Sequence, residues 1–407
     1  MFRKLCFTAL LIFSLISLTH AQSLSECLSQ ARANNAELKS AELQVQRSKQ
    51  LESSAFDPGK TSFTLSQDPT SGGSPDNAIT LSQTFDFPTV YARKKKLLKA
   101  NTQVEESRRL IAEAQLEHNV CEAYCTLLLW QNIEALLMSN DSVINEFVNM
   151  AEIHFNNGNA NRLELLNAKR MKSENQMRLR EAKNEKNAAS SWLQELMNTN
   201  EKIVATDSFQ CVSLSADSYN FATTPQGKLA ENERIRSEQE LRLAKQGFAP
   251  ELTVGVSSQL VISGINPYDV DRSRYEKGNW MGFEVGVALP LFFGATKSQK
   301  KATKIDLDIA QTNAEAMQRK SETELSVATT AVETATESYL YYKSEGLPAA
   351  REMRQLSRTE YNLGEISYIE HIQNLNAALE IEMDNAKATD ALNQAIIKLN
   401  FIKGQQQ

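Results

Sequence analysis

Hydrophobic and polar residues follow two different periods along this chain. Between about 91 and 154, apolar residues recur every three or four positions, and neither proline nor glycine interrupts them. This spacing predicts one helix, and about 64 residues at 1.5 Å each would make it about 95 Å long. The chain then turns within 155–161, and 162–198 is predicted to return as a second helix. The segment 91–198 is therefore expected to form a long antiparallel helical hairpin.

Four shorter segments alternate between apolar and polar residues, at about 61–67, 78–88, 252–262 and 281–291. In the last of these, every odd position is apolar and the even positions are small or polar up to Ala288. This period of two predicts β-strands paired as two hairpins. It is typical of strands in a transmembrane β-barrel, and equally of a soluble antiparallel sheet with one wet face. Four strands cannot close a barrel, whereas three copies would supply twelve, which together with a secretory signal favours the membrane.

The turn between the long helices occurs twice. The stretch FNNGNANRLELLNAKR starts at Phe155, and YNLGEISYIEHIQNLN starts 206 residues later at Tyr361. Four residues recur in register, so that Asn156, Gly158, Glu164 and Glu174 return as Asn362, Gly364, Glu370 and Glu380.

This repetition indicates an internally duplicated chain. We predict a first repeat over 22–225 and a second over 226–407, each a helix, two strands and a helical hairpin. The second hairpin is expected over about 296–403, and the first repeat ends in a polar linker.

The first 21 residues are predicted to be a secretory signal peptide. Arg3 and Lys4 precede an apolar run from Leu5 to Leu18, and small residues favour cleavage after Ala21. Lipid anchoring is not expected, because Cys27 follows a glutamate in LSEC. No later stretch is apolar for long enough to predict a membrane-spanning helix. Without Arg3 and Lys4 the chain has 42 basic and 50 acidic residues, which argues against a nucleic-acid partner.

Little in the chain points to catalysis or to a cofactor. No phosphate-binding loop, nucleophile elbow or paired-histidine motif occurs, so we predict a protein that is not an enzyme. The weak candidate for a metal site is His118, Cys121 and Cys125, which share one helix face and could hold a soft metal. The alternative is that they pack in a helical core. A bridge between Cys27 and Cys211 is also possible, although sequence alone cannot establish which cysteines pair.

With this layout, the chain resembles the TolC-like outer-membrane efflux protein family over essentially all of its predicted mature length. The two repeated turn motifs carry the resemblance, together with VALPLFFGATKSQ from Val287. The resemblance implies a mainly α fold with a small β part. In this fold three copies combine four strands each into one twelve-stranded outer-membrane barrel, and long hairpins form a periplasmic α-barrel.

The resemblance also implies roles for the two turns. They would lie at the periplasmic entrance, where an adaptor protein docks on tips that contain Asn156, Gly158, Asn362 and Gly364. Glu164 and Glu370, six residues beyond the tip glycines, would line a cation-attracting pore entrance. Some relatives carry a second acidic residue three positions further on, where this chain has Gln373. His371, beside Glu370, could make the entrance sensitive to pH near 6 to 7.

The expected function is that of a passive exit duct in the outer membrane, extending into the periplasm. Its partners would be outer-membrane lipid, two further copies, a periplasmic adaptor and an inner-membrane pump. The resemblance and the short linkers favour a pump of the resistance-nodulation-division class, and metal ions, drugs or proteins all remain open as cargo. The alternatives are the exit duct of a type I secretion system, and a periplasmic coiled-coil scaffold or adhesin with a soluble sheet.

Overall fold

The computed structural model describes residues 20–68, 76–158, 162–214, 218–260 and 280–405. Most of the predicted signal peptide, the two loops that join the strands of each β-hairpin, and Asn159 to Asn161 at the first turn lie outside these ranges. The elements in chain order are β1 (His20–Gln22), α1 (Leu24–Asn34), α2 (Ala36–Leu51), β2 (Ser62–Asp68), β3 (Asp76–Asp86), α3 (Pro88–Asn156), α4 (Arg162–Leu196), β4 (Ile203–Ala205), α5 (Pro225–Ala244), β5 (Glu251–Leu260), β6 (Trp280–Ala288), α6 (Gly294–Tyr341), α7 (Leu347–Leu363) and α8 (Tyr368–Lys403).

The mainly α fold with a small β part is confirmed. Each half runs through helix, two strands, very long helix and returning helix in the order that the duplication predicts. The domain boundaries themselves stay a prediction, because the chain divides into compact units that each combine parts of both halves. One unit comprises 42–108 and 226–317, and the other comprises the remaining residues.

The first unit contains a four-stranded antiparallel sheet in the order β2-β3-β5-β6. Directly paired residues share a face of such a sheet. One row consists of Phe63, Leu81, Val256 and Phe283. In the next row on the same face, Val254 pairs with Val285. The opposite face carries Thr80, Ser257 and Gly282 in one row and Ser82, Gly255 and Glu284 in the next. The sheet therefore has one apolar face and one small, polar face.

The second unit is helical, and its core follows the seams between α3, α4, α6 and α8. The largest buried side chains include Tyr124, Leu127, Ile133 and Leu193. A small parallel pair, β1 with β4, was not predicted by the sequence pattern. Among the described residues, no helix is long and apolar enough to cross a membrane.

The first helix of the second predicted hairpin, which was expected over about 296–403, is interrupted, and the sequence pattern did not indicate this. Residues Tyr342–Gly346 form one π-helical turn between α6 and α7. Pro348 lies two residues after this turn, and a proline inside a helix lacks the N–H that would bond to a carbonyl four residues earlier. A widened turn is one of the ways in which a helix accommodates such a break.

Candidate pore entrance and docking tips

The second turn, between α7 and α8, has a closely defined backbone. Gly364 ends α7 with φ 76°, in the left-handed region. Its N–H donates to the Tyr361 carbonyl at 3.0 Å, and the Glu365 N–H donates to the Glu360 carbonyl at 2.9 Å. These bonds are those of a helix C-cap, in which glycine avoids the strain of a β-carbon. Gly364 therefore supplies the left-handed residue that ends α7.

Glu370 lies where α8 begins, three residues after Ser367. Its carboxylate accepts the Ser367 backbone N–H at 2.8 Å, while its own N–H donates to Ser367 Oγ at 3.3 Å. This reciprocal pair is a capping box. The hydrogen bonds from Ser367 lower the pKa of Glu370, so the carboxylate keeps its negative charge at neutral pH. Glu370 therefore caps the helix and places an exposed anion beside the turn.

An aromatic cluster packs just behind the second turn. The His371 ring stacks on Tyr361 with centroids 4.9 Å apart, and Tyr368 packs against both Tyr361 and Phe147 of α3. His371 Nδ1 lies 2.8 Å from the hydroxyl of Ser357, which is buried in α7. Burial lowers the pKa of His371. Any change of its charge is thus moved to lower pH than in a solvent-exposed histidine.

At the first turn, the described end of α3 matches the end of α7 at the second turn. Gly158 also has φ 76°, and its N–H donates to the Phe155 carbonyl at 3.0 Å. Asn156 is the last residue of α3 and is exposed, as its counterpart Asn362 is in α7. Glu164 lies in the first turn of α4 and is half-buried.

The other two repeated glutamates meet at a single arginine. Arg178 of α4 forms ion pairs with Glu174, at 3.3 Å, and with Glu380 of α8. The hydrogen bond and the charge of Glu380 raise the pKa of this guanidinium. Sequence reasoning missed Arg178, because its counterpart 206 residues later is Asp384 and the repeat therefore gives no signal. Beside this pair lies a cleft of about 360 Å³ between α3, α4 and α8.

The three candidate metal ligands are core residues of the helical unit. Cys121 and Cys125 are buried, and burial raises the pKa of each thiol to about 12. The His118 ring stacks on Phe401 at 4.8 Å, and burial lowers its pKa. Such groups are neutral at pH 7, and a thiol at that pKa is a poor metal ligand. Among the described residues, no group of three His, Cys, Asp or Glu side chains is placed to hold a metal ion.

The described cysteines form no disulfide. Cys27, Cys121, Cys125 and Cys211 are all free thiols. Cys27 packs in the same apolar cluster as Cys121 and Cys125, whereas Cys211 packs against a different cluster that contains Leu392 and Ile396. The bridge between Cys27 and Cys211 that the sequence left open is therefore absent from this structure.

Comparison with known proteins shows which solved structures share this fold. No protein-family model matches the chain, and no curated protein matches it. Solved structures do match, over nearly the whole chain. One of CusC, from a study of its folding and transmembrane channel formation, is 18% identical with a TM-score of 0.76, covering 95% of this chain and 93% of that one.

Two further matches are outer membrane channels by name. The CmeC channel of Campylobacter jejuni is 16% identical with a TM-score of 0.74, over 94% of this chain and 85% of that one. The open state of the MtrE channel of Neisseria gonorrhoeae is 16% identical with a TM-score of 0.75, over 94% and 89%. The chain has the fold of these channels, which confirms at the level of the fold its resemblance to the TolC-like outer-membrane efflux proteins.

Proposed function

We propose that this protein is the outer-membrane exit duct of a tripartite efflux system. Three copies would close one barrel in the membrane, and their helical units would extend into the periplasm. The duct is passive and not an enzyme. A periplasmic adaptor would dock on the two turns, and an inner-membrane pump of the resistance-nodulation-division class would drive export through it.

The observation that carries this proposal is the uncovered apolar face of the sheet. Phe283 exposes 89% of its surface, Met281 78% and Val285 72%. In a soluble sheet with one wet face, the apolar side would pack on a core. Here the apolar side is the open one, and the small, polar side faces the other way, as in a barrel strand between lipid and lumen. The soluble-sheet alternative does not account for this exposure.

The edges of the sheet support assembly from several copies. Among the described strands, β2 and β6 each pair with a single neighbour. A membrane strand cannot leave an edge unpaired, because lipid offers no hydrogen bonds to its backbone. Pairing β6 of one copy with β2 of the next would satisfy both edges, and three copies would give twelve strands. The solved structures of similar fold, which are outer membrane channels by name, support the same assignment.

Fractionation and conductance test the duct itself. We expect the chain in the outer-membrane fraction, as a trimer that needs detergent to stay in solution, and we expect it to form conducting pores in planar bilayers. Recovery as a soluble monomer in a periplasmic extract would contradict the proposal. A membrane-bound trimer without conductance would contradict the channel while leaving the location intact.

Cation preference tests the entrance. Glu164→Gln with Glu370→Gln removes two charges per copy, and the amide oxygen of the introduced glutamine can still accept the Ser367 N–H that Glu370 accepts. Rings of carboxylates attract cations in a narrow opening, so the double variant should lose cation preference in bilayers. Glu352→Gln, at an exposed position of α7 away from the turn, is the control. Equal selectivity in the double variant and the wild type would remove both glutamates from the entrance.

A further inference from the structure

Each of the two long helices that follow the sheet begins with a run of basic residues. The run RKKKLLK covers 93–99 near the start of α3, and KSQKKATK covers 297–304 near the start of α6. Lys95 recurs 206 residues later as Lys301, which is the interval that also separates the two turns. We call 93–99 and 297–304 the basic segments. Both halves of the duplicated chain have one.

The fold does not neutralise the charge of the basic segments. Together they hold nine lysine and arginine residues, and no aspartate or glutamate occurs within 88–104 or 294–305. Seven of the nine are exposed, and within the described ranges none of the nine pairs with a carboxylate. The predicted mature chain has more acidic than basic residues, so this positive excess is local.

The two helices with basic segments start from the same end of the sheet. Asp86, the last residue of β3, pairs with Glu251 of β5, which pairs in turn with Ala288, the last residue of β6. Helices α3 and α6 begin two and six residues beyond these strand ends. Asp86 and Glu251 belong to the small, polar face of the sheet, so their carboxylates lie on the side away from its apolar face.

Exposed apolar side chains lie between the strands and the basic segments. After β6, Leu289 exposes 63% of its surface, Leu291 76% and Phe292 93%. Near the start of α3, Phe56 exposes 63% and packs against Tyr91 with ring centroids 5.0 Å apart. The apolar face of the sheet thus continues to the point where the basic residues begin. Apolar surface bordered by lysines is typical of the boundary between hydrocarbon and headgroups.

The lysine side chains can reach a headgroup layer at this boundary. At 1.5 Å per residue, Lys95 lies about 10 Å along α3 from Pro88, and Lys301 lies about 10 Å along α6 from Gly294. Side chains on a helix lean towards its N-terminus, which in both helices is the end next to the sheet. The headgroup layer is about 5 to 8 Å thick on each side of a bilayer. A lysine that extends its stem towards the sheet therefore brings its ammonium group close to the phosphates.

We propose that the basic segments bind the phosphate groups of anionic phospholipids in the periplasmic leaflet of the outer membrane. The inference rests on the proposed exit duct, because it requires the sheet to lie in that membrane, and it names the lipid class that surrounds the duct. Clusters of about four to eight basic residues next to a membrane-inserted element are typical of anionic-lipid sites. The attraction acts over about 8 Å at physiological ionic strength, so it is confined to residues at the edge of the membrane.

A charge reversal at the repeated lysines tests the proposal. Lys95→Glu with Lys301→Glu changes two exposed residues, and glutamate and lysine have similar helix propensities. The trimer is mixed in detergent with equal amounts of phosphatidylglycerol and phosphatidylcholine, and bound lipids are counted by native mass spectrometry. The wild type should retain mainly phosphatidylglycerol, and less of it in high salt. The double variant should lower the ratio of bound phosphatidylglycerol to phosphatidylcholine about tenfold or more.

The matched control is Lys39→Glu with Lys183→Glu, because both lysines are exposed and belong to the other compact unit. This control should keep the wild-type lipid ratio. A wild-type trimer without preference for phosphatidylglycerol, or an equal loss in both double variants, would overturn the proposal while leaving the duct intact. An unchanged lipid ratio with altered ion selectivity in planar bilayers would instead assign the lysines to the lumen, and would also overturn it. A wild-type chain that is monomeric and outside the membrane would refute the duct itself.

Discussion

The two helical hairpins share a sequence pattern and a left-handed glycine at their turns, yet the contact between their helices differs at one matching position. In the first hairpin, Asn140 of α3 donates to Asn175 of α4 at 3.3 Å, and both side chains are buried. The matching position of the second hairpin brings Gly346 against Ile381. A buried amide pair fixes the register of two helices, whereas a glycine lets them approach closely.

The two long helices also differ in whether they are interrupted at this position. Helix α3 runs unbroken past Asn140. The second hairpin has its π-turn at Tyr342–Gly346, which includes the position that matches Asn140 and ends two residues before Pro348. The two hairpins therefore share the turn glycines and the lengths of their helices, but not the contact between those helices.

Filling the glycine position should affect the second hairpin most. A β-carbon on Gly346 would lie 3.0 Å from Tyr342 Cδ1 and 3.3 Å from Ile381 Cγ2. Gly346→Leu should therefore lower the free energy of unfolding by about 3 kcal/mol through overpacking, measured by chemical denaturation. Gly294→Leu is the control, because a β-carbon there meets nothing within 4 Å. Equal effects at the two sites would show that close approach at Gly346 is unimportant.

Asp390 of α8 should make the stability of the second hairpin depend on pH in a way that the first hairpin does not share. Burial raises the pKa of Asp390 to about 6, and the charge of Glu122 of α3 adds to the shift. The counterpart of Asp390 in α4 is Asn184, which is exposed and carries no charge. A carboxyl whose pKa is higher in the folded state destabilises the fold above pH 6, and this cost disappears as the pH falls from 6 towards 4. Asp390→Asn should stabilise the protein by about 1–2 kcal/mol at pH 7.5, after allowance for solvent screening.

The measurement for Asp390 is denaturation at pH 7.5 and at pH 5. The gain from Asp390→Asn should be larger at pH 7.5, because the wild-type carboxyl is mostly neutral at pH 5. A gain that does not change with pH would mean that the substitution acts through packing and not through the charge of Asp390.

The capping box of α8 should contribute a smaller, local effect. Ser367→Ala removes the hydroxyl that accepts the Glu370 N–H, and the loss of such a cap costs about 1 kcal/mol. Thermal unfolding should show a lower midpoint. Ser173→Ala is the control, because the Ser173 hydroxyl bonds only to the Lys169 carbonyl of its own helix. An unchanged midpoint in Ser367→Ala would mean that packing alone holds the start of α8.

The ion pair between the hairpins should matter least. The side chains of Arg178 and Glu380 are 34% and 45% exposed, so solvent screens their attraction. Arg178→Ala should lower the free energy of unfolding by less than about 1 kcal/mol, and the difference should shrink in high salt. Arg162→Ala, at the exposed start of α4, is the matched control. A loss that is large and independent of salt would assign Arg178 a packing role.

Much of the fold could be predicted from local pattern, and the misses have identifiable causes. Periods of three to four and of two identified the long helices and the strands, because those periods express which side of an element faces water. The π-turn was missed because helical periodicity continues on both sides of it. The pairing of β1 with β4 was missed because strands of three residues carry almost no pattern.

Some residues of the candidate site could likewise be predicted from local pattern, and others could not. The turn glycines could be predicted, because a left-handed backbone between two helices demands a residue without a β-carbon. The cap formed by Ser367 and Glu370 also follows a local spacing. Arg178 could not be found, because its partner Glu380 lies on a helix that is distant in sequence.

The sequence by itself determined the long helices, the strands of the four-stranded sheet and the left-handed glycine of each turn, since each depends on residues a few positions apart. The repeated turn motif determined the duplication. The tertiary structure decided which face of each duplicated helix is covered. Leu166 and Ile372 occupy matching positions, yet one is open and the other buried. Burial depends on a neighbouring helix brought from elsewhere in the chain, and no local pattern specifies that neighbour.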